Sequence, residues 1–445
     1  MTHGPEWRHV LVFSLPIMAG NLLQQLYNTV DGIVVGNFVS QNALAATGSA
    51  GTLAFIFLAF AIGFGNGSGI MIAQLFGARL YDELREAVST ALLLLVGMGA
   101  AFSIVGCVGA RFLLHRLMRV AEGGVLDLAT AYFTIYAAGY VLQFIYNAVA
   151  AILRAIGDSR ATLYFLLVSS LMNLALDVLF VVGFGWGVQG AAIATVFSQL
   201  CSAVVSIVYM FKKYPMFRFK PRELVFRKDK CLLCLRLGIP TTIQQSIVSF
   251  GNVFIQRLIN SFGEVTMAAF TVGIRIEEYL FVPVIGFNTG LATFTAQNVG
   301  ARNFDRVRRG CFMTLGMALT AAFILEVLSN IFAAPISLLF GVTDEALGQS
   351  VAYVQFLSYV FWLFAIYITF TGVLQGSGDV MFTSLASLAT LGTRVCVAYI
   401  LVYAFGMNYA AIWRAMPIGW TGAAALAVWR YRSGVWKKKG IVKNG

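Results

Sequence analysis

Charge is scarce in this chain: only 11% of its residues are Asp, Glu, Lys or Arg, against roughly a quarter in soluble domains. That shortage excludes an ordinary water-soluble globule. Histidine is nearly missing, with only His3, His9 and His115, which leaves no basis for a His-rich metal centre. Neither a GxxxxGK phosphate loop nor a nucleophile motif occurs, so an intramembrane enzyme has little support. Period-two strand patterning is lacking, which disfavours a transmembrane barrel. Of six cysteines, Cys231 and Cys234 form a C-x-x-C pair with no second His or Cys cluster, and they read as reduced thiols at a cytosolic span entrance. No cleavable leader is evident: the first apolar run is too long and is expected to stay as a span.

What the chain has in excess is apolar sequence, at 59% of residues. Twelve runs approach or exceed the roughly 20 residues that cross about 30 Å of hydrocarbon as helix. They fall near 10–36, 44–74, 86–112, 126–152, 160–183, 187–211, 235–261, 267–298, 310–333, 348–373, 382–405 and 409–432. The expected fold class is therefore an all-α polytopic membrane protein with twelve transmembrane helices. The net charge of +12 does not point to nucleic acid, because Lys and Arg gather in alternate loops. That alternation is the positive-inside pattern and predicts both termini in the cytoplasm of a cell whose inner membrane holds the chain. Arg111, Arg116 and Arg119 break the pattern, and RFLLHRLMRV is expected to lie in the interface as a short amphipathic helix.

One segment is written twice. Residues 73–85 read AQLFGARLYDELR and residues 296–308 read AQNVGARNFDRVR, identical at seven of thirteen positions. Leu153-x-x-x-Gly157-Asp158 likewise returns as Leu374-x-x-x-Gly378-Asp379. Six spans per half return the chain to the same side, so the repeat is parallel. The expected organisation is a six-helix lobe at 1–211, a basic cytoplasmic linker at 212–234, a second six-helix lobe at 235–432 and a basic tail at 433–445. Paired bundles of this kind carry substrates between their halves. Pro16 and Pro240 take matching places in the first span of each half, where a missing helix hydrogen bond favours a bend.

Ionisable groups inside spans cost roughly 2.5–3.5 kcal/mol each on insertion scales, which makes them functional candidates. Gln24, Tyr27 and Asp31 share a face of the first span, and Asn173 and Asp177 share a face of the fifth. Acids flanked by amide and hydroxyl oxygens suit a hard cation or a proton, while the bland alternative is a protonated acid bonding across helices. In the second half Arg275, Glu277, Glu278 and Arg394 lie within or near spans. Salt bridges or snorkelling account for the arginines, and the sharper alternative is a cleft that receives an anionic substrate group. Adjacent Glu277 and Glu278 should face different directions.

These features resemble the multidrug and toxic compound extrusion (MATE) family, in its DinF-like branch, over about residues 8–432. The resemblance implies a secondary exporter of small lipophilic or cationic compounds, driven by inward H⁺ or Na⁺ and needing no cofactor. It implies a cation-coupling set of Asp31, Asn173, Asp177 and Thr195, surrounded by Gln24, Tyr27, Asn147 and Tyr132. The chain departs from the NorM-like branch, since its seventh and tenth spans lack the coupling acids of that branch. The partners implied are the lipid bilayer and a small-molecule substrate, with the chain acting as a monomer. A flippase for lipid-linked saccharides is the rival reading, resting on the arginines of the second half.

Overall fold

The computed structural model describes residues 1–38, 41–120, 122–342 and 344–442, with side chains described except at 27–38, 41, 42, 44, 45, 221, 249 and 250. Thirteen α-helices follow one another, and no strand occurs among the described residues. In the first half they are α1 (Glu6–Phe38), α2 (Gln41–Gly77), α3 (Tyr81–Phe112), α4 (Gly124–Ala138), α5 (Tyr140–Ile156), α6 (Ser159–Asp177) and α7 (Gly187–Lys213). The second half supplies α8 (Lys228–Asn260), α9 (Glu264–Gly300), α10 (Phe304–Leu339), α11 (Asp344–Ser377), α12 (Val380–Tyr403) and α13 (Ala411–Arg432).

Thirteen helices make twelve spans because α4 and α5 are one span bent by 48°. The bend falls at Gly139, where a Cβ would come within 2.9 Å of Val196 Cγ2 on α7. Glycine is a poor helix former and a recurrent kink site, and here it also admits close packing. Among the described residues nine helices are long and apolar enough to cross alone, and the bent pair makes a tenth. The remaining two, α9 and α13, are diluted: α9 carries Arg275, Glu277 and Glu278, and α13 carries Arg414 and Pro417. Length does not limit either. At 1.5 Å per residue, the 22 residues of α13 reach about 33 Å, enough for the hydrocarbon core. Helix continues through both Pro16 in α1 and Pro240 in α8.

RFLLHRLMRV is not a separate interfacial helix. Helix α3 runs on through Phe112 into a π-helical turn, Leu113–Leu117, and Arg111 pairs with Asp127 at 2.8 Å. An amphipathic period cannot distinguish a new helix from the continuation of an old one.

The two sequence echoes are four helix ends of one design. After α5, Asp158 N–H donates to Leu153 O at 2.8 Å across Gly157, whose φ is +102°. After α11, Asp379 N–H donates to Leu374 O at 2.9 Å across Gly378, at φ +96°. The AQxxGAR copies close the same way, Leu80 N–H to Leu75 O and Asn303 N–H to Asn298 O. There the left-handed residue is Arg79 (φ +60°) and Arg302 (φ +58°), a region where glycine is the usual occupant.

By packing, the chain forms two compact units: Ala19–Thr242, and Ile243–Gly445 together with Met1–Met18. Lobes read from the repeat cut the chain between spans, whereas these units cut it inside α1 and α8, just past the matched prolines. Each unit has its own aromatic core. In the first, Phe57 stacks on Tyr140 with centroids 5.3 Å apart. In the second, Phe270, Tyr353 and Trp413 lie mutually within 5.1–5.6 Å.

Candidate functional site

Asn173, Asp177 and Thr195 gather where α6 packs on α7, with Tyr132 of α4 beside them. Asn173 and Asp177 sit one turn apart on α6 and are buried, at 2% and 1% exposure. Asn173 Nδ2 donates to Thr195 Oγ1 at 3.5 Å. Thr195 Oγ1 donates in turn to the Ala191 carbonyl at 3.0 Å, so the threonine links the α6 amide to the α7 backbone. Directly after Asp177 the α-helix loosens into a π-helical turn, Val178–Gly183, a deviation that recurs at functional sites. Tyr132 on α4 packs against Val181 of that turn and against Ala191, and its ring stacks on Tyr136 at 6.1 Å.

Asn147 takes a different course. Its Nδ2 donates to the Gln143 carbonyl one turn back on α5, at 2.9 Å, so the amide is committed to its own helix. Gln24 is half-buried on α1 and engaged with a partner. Tyr27 and Asp31 belong to α1 by backbone, and their side chains lie outside the described residues.

The second unit holds a counterpart. The offset of 221 between the Gly-Asp echoes carries Tyr132 onto Tyr353 and Asn173 onto Arg394. Tyr353 Oη donates to Glu277 Oε2, and Glu277 is buried at 8% exposure. The charge of Arg394 acts on the same carboxylate. Its Nε is buried without a hydrogen-bond partner among the described residues. Glu278 points elsewhere and faces Arg275 at 3.8 Å. So the structure seats Glu277 against Tyr353 and pairs Arg275 with Glu278, while Arg394 meets neither carboxylate within ion-pair distance among the described residues. Tyr353 was missed from sequence, although the repeat offset applied to Tyr132 would have found it.

Chemically, the first cluster offers amide and carboxylate oxygens that are buried and a hydroxyl that is part-buried. Such a set holds a proton or a small hard cation in place of bulk water. No group of three or more His, Cys, Asp or Glu occurs that would hold a transition metal among the described residues.

Comparison with known proteins follows the same duplication. The MatE family model matches residues 16–179 and 240–400, one block in each half. The probable multidrug resistance protein YoeA of Bacillus subtilis is 29% identical, over 98% of this chain and 96% of its own. The probable multidrug resistance protein NorM of Thermotoga maritima is 24% identical, over 98% of this chain and 95% of its own. Among solved structures, an outward-facing multidrug resistance MATE transporter of the MOP superfamily is 26% identical with a TM-score of 0.91, covering 98% of this chain and 97% of that one. A MOP superfamily transporter from Pyrococcus furiosus, described as having reversed binding-pocket polarity, is 25% identical with a TM-score of 0.90, covering the same shares. Twelve spans in two six-helix halves, with a family match in each half, mean that this chain belongs to the MatE family of membrane transporters and is not an enzyme.

Proposed function

We propose that this transporter exports small lipophilic or cationic organic compounds by alternating access, in exchange for inward H⁺ or Na⁺. The observation that carries the reading is the contact of buried Asn173 with part-buried Thr195 beside buried Asp177, at the point where α6 becomes a π-helical turn. Asp31 completes the coupling set in this proposal. A cation entering from outside neutralises Asp31 and Asp177, the pairing of α1 with α6 changes, and the substrate leaves outward. The ion drives the cycle only through its different affinity for the two conformations. The chain works as a monomer in the plasma membrane, with both termini in the cytoplasm, and relatives named for multidrug resistance support the substrate class.

Arg275 facing Glu278 at 3.8 Å removes part of the support for a lipid-linked saccharide flippase, which needs arginines available to a pyrophosphate. The test is efflux of a cationic dye from proteoliposomes, with Na⁺ and pH gradients imposed separately, for the parent and Asp31→Asn. Gradient-driven efflux lost in folded Asp31→Asn is the expected result and names the ion. Equal efflux by the variant would falsify the coupling role. No efflux by the folded parent under either gradient sinks the exporter reading and favours the flippase.

A further inference from the structure

Arg85 and Arg308 close the two copies of the duplicated segment, and their surroundings differ. In the first unit Arg85 Nη2 donates to Glu223 Oε2 at 2.6 Å and to the Arg218 carbonyl at 3.2 Å. Its guanidinium also sits 5.4 Å from the centroid of the Phe219 ring. All three partners belong to the linker, which therefore brings an anion and an apolar ring to this arginine.

Among the described residues no chain segment does the same for Arg308. Among the described residues neither Arg308, Arg432 nor Lys437 takes part in an ion pair, although a dozen such pairs occur elsewhere. The three cations line a cavity of about 400 Å³ where α10 begins and α13 ends, and Asp305 is its one acidic wall residue among the described residues. Three positive groups against one negative leave a formal balance of +2. The rest of the wall is mainly aromatic. Tyr431 stacks on Trp436 with centroids 5.7 Å apart and planes within 5°. Phe304 meets the same indole edge-on at 5.9 Å. Trp436 is itself buried, and its Nε1 donates to the Tyr431 carbonyl at 3.0 Å, so this wall is fixed in shape. Phe312 lines the cavity and is half-exposed.

We propose that this cavity binds the phosphate-bearing headgroup of an anionic membrane phospholipid. Guanidinium donors match phosphate oxygens in fork geometry. Aromatic rings beside basic side chains at a span end suit the headgroup level of a bilayer. Phe312 offers apolar surface to the glycerol and upper acyl chain. The repeat supplies an independent argument: at the equivalent arginine the linker presents a carboxylate together with an aromatic ring, and an anionic lipid offers the second unit the same pairing of charge and apolar bulk. Free phosphate would use the cations and leave the aromatic wall unused.

The test titrates the purified full chain in detergent with dioctanoyl phosphatidylglycerol, dioctanoyl phosphatidylcholine, glycerol phosphate and inorganic phosphate, reading bound ligand by native mass spectrometry. Saturable binding of the phosphatidylglycerol is expected, with about tenfold weaker binding in Arg308→Gln/Arg432→Gln. The linker variant Arg222→Gln, which removes a cation elsewhere, should bind as the parent does. If the double variant does not fold, Lys437→Gln on the exposed turn replaces it, with a smaller loss expected. Undiminished phosphatidylglycerol binding by a folded pocket variant overturns the proposal. So does inorganic phosphate binding as tightly as the lipid, which would make the site one for a free anion.

Discussion

Glu6 and Lys230 occupy matching places ahead of Pro16 and Pro240, carry opposite charges, and meet partners that are also reversed. Lys230 Nζ pairs with Glu83. Glu6 Oε1 lies 3.4 Å from Arg306 Nη1 and accepts from Arg309 Nε at 2.9 Å. Glu83 and Arg306 hold the same position of the duplicated segment, as do Glu86 and Arg309. Arg227 reaches Glu86 at 2.6 Å. Each leading helix end is thus matched by charge to its own unit and mismatched to the equivalent surface of the other. In a duplicated sequence that reversal discriminates between two otherwise similar docking sites.

The reversal predicts a charge-swap rescue. Glu83→Lys places two cations together and should lower thermal stability, and adding Lys230→Glu should restore most of it. The Glu83 side chain is half exposed and that of Lys230 mostly covered, so a coupling of about 1 kcal/mol is expected. Glu6→Lys should cost more, about 3 kcal/mol, because Glu6 and Arg306 are each only 11% exposed. Two double-mutant cycles by thermal unfolding, Glu83→Lys with Lys230→Glu and Glu6→Lys with Arg306→Glu, measure the couplings. Additive losses with no rescue would mean that the swapped charges carry no pairing information.

A second prediction concerns backbone contact inside the first unit. A Cβ at Gly67 would stand 2.6 Å from Gly238 N, with Gly238 Cα at 2.9 Å. Both contacts are backbone atoms that cannot swing aside. Close helix approach through small residues is a main source of packing energy in membranes. Gly67→Ala should therefore force α2 and α8 apart and cost about 2 kcal/mol or more. Gly97→Ala, with no atom within 4 Å of its Cβ, is the matched control and should be neutral or slightly stabilising.

Most of the architecture was legible because apolar run length is a direct physical requirement of the bilayer. The α4–α5 bend was not. Gly139 reads in sequence as one tolerated glycine, and the contact that makes it necessary, Val196 on α7, is a tertiary fact. Of the candidate residues, Asn173 and Asp177 were legible as one buried face of α6 from their four-residue spacing. Thr195 came only from resemblance, since one threonine in an apolar helix carries no signal of its own. Its bond to Asn173 depends on the register between α6 and α7. Tyr353 was hidden by the number of aromatics around it, and only the repeat singles it out.

The third prediction is a pH dependence at the α5–α6 turn. Asp158 Oδ2 accepts from Lys213 Nζ, Tyr209 Oη and Tyr214 Oη, each at 2.9 Å. Burial alone would push this carboxyl up, and the three donors outweigh it and hold it below the usual aspartate value. The folded-state value is depressed, so the stabilisation is fully present above the unfolded value of about 3.9. It is lost as pH falls through the folded value. Parent protein should thus lose thermal stability below about pH 4. Asp158→Asn should begin less stable and show a flatter acid limb, measured by unfolding midpoints between pH 3 and 7. Identical acid limbs would remove Asp158 from the account.

The last prediction separates two ways of holding the buried acid in the second unit. Tyr353 Oη donates to Glu277, and Arg394 contributes charge without coming within ion-pair distance among the described residues. Tyr353→Phe deletes the donor and leaves a buried carboxylate oxygen unsatisfied, which should cost about 1–3 kcal/mol. Glu277→Gln keeps an oxygen that can accept from Tyr353 and removes only the charge, so it should cost less. If the hydroxyl is the main anchor, thermal unfolding ranks Tyr353→Phe as the more damaging change. The reverse order would mean that attraction to Arg394 dominates, and Arg394→Gln should then reproduce the loss seen in Glu277→Gln. In either case the double variant Tyr353→Phe/Glu277→Gln should be less damaging than the sum of the singles, because a neutral amide left without the Tyr353 donor costs less to bury than a stranded carboxylate.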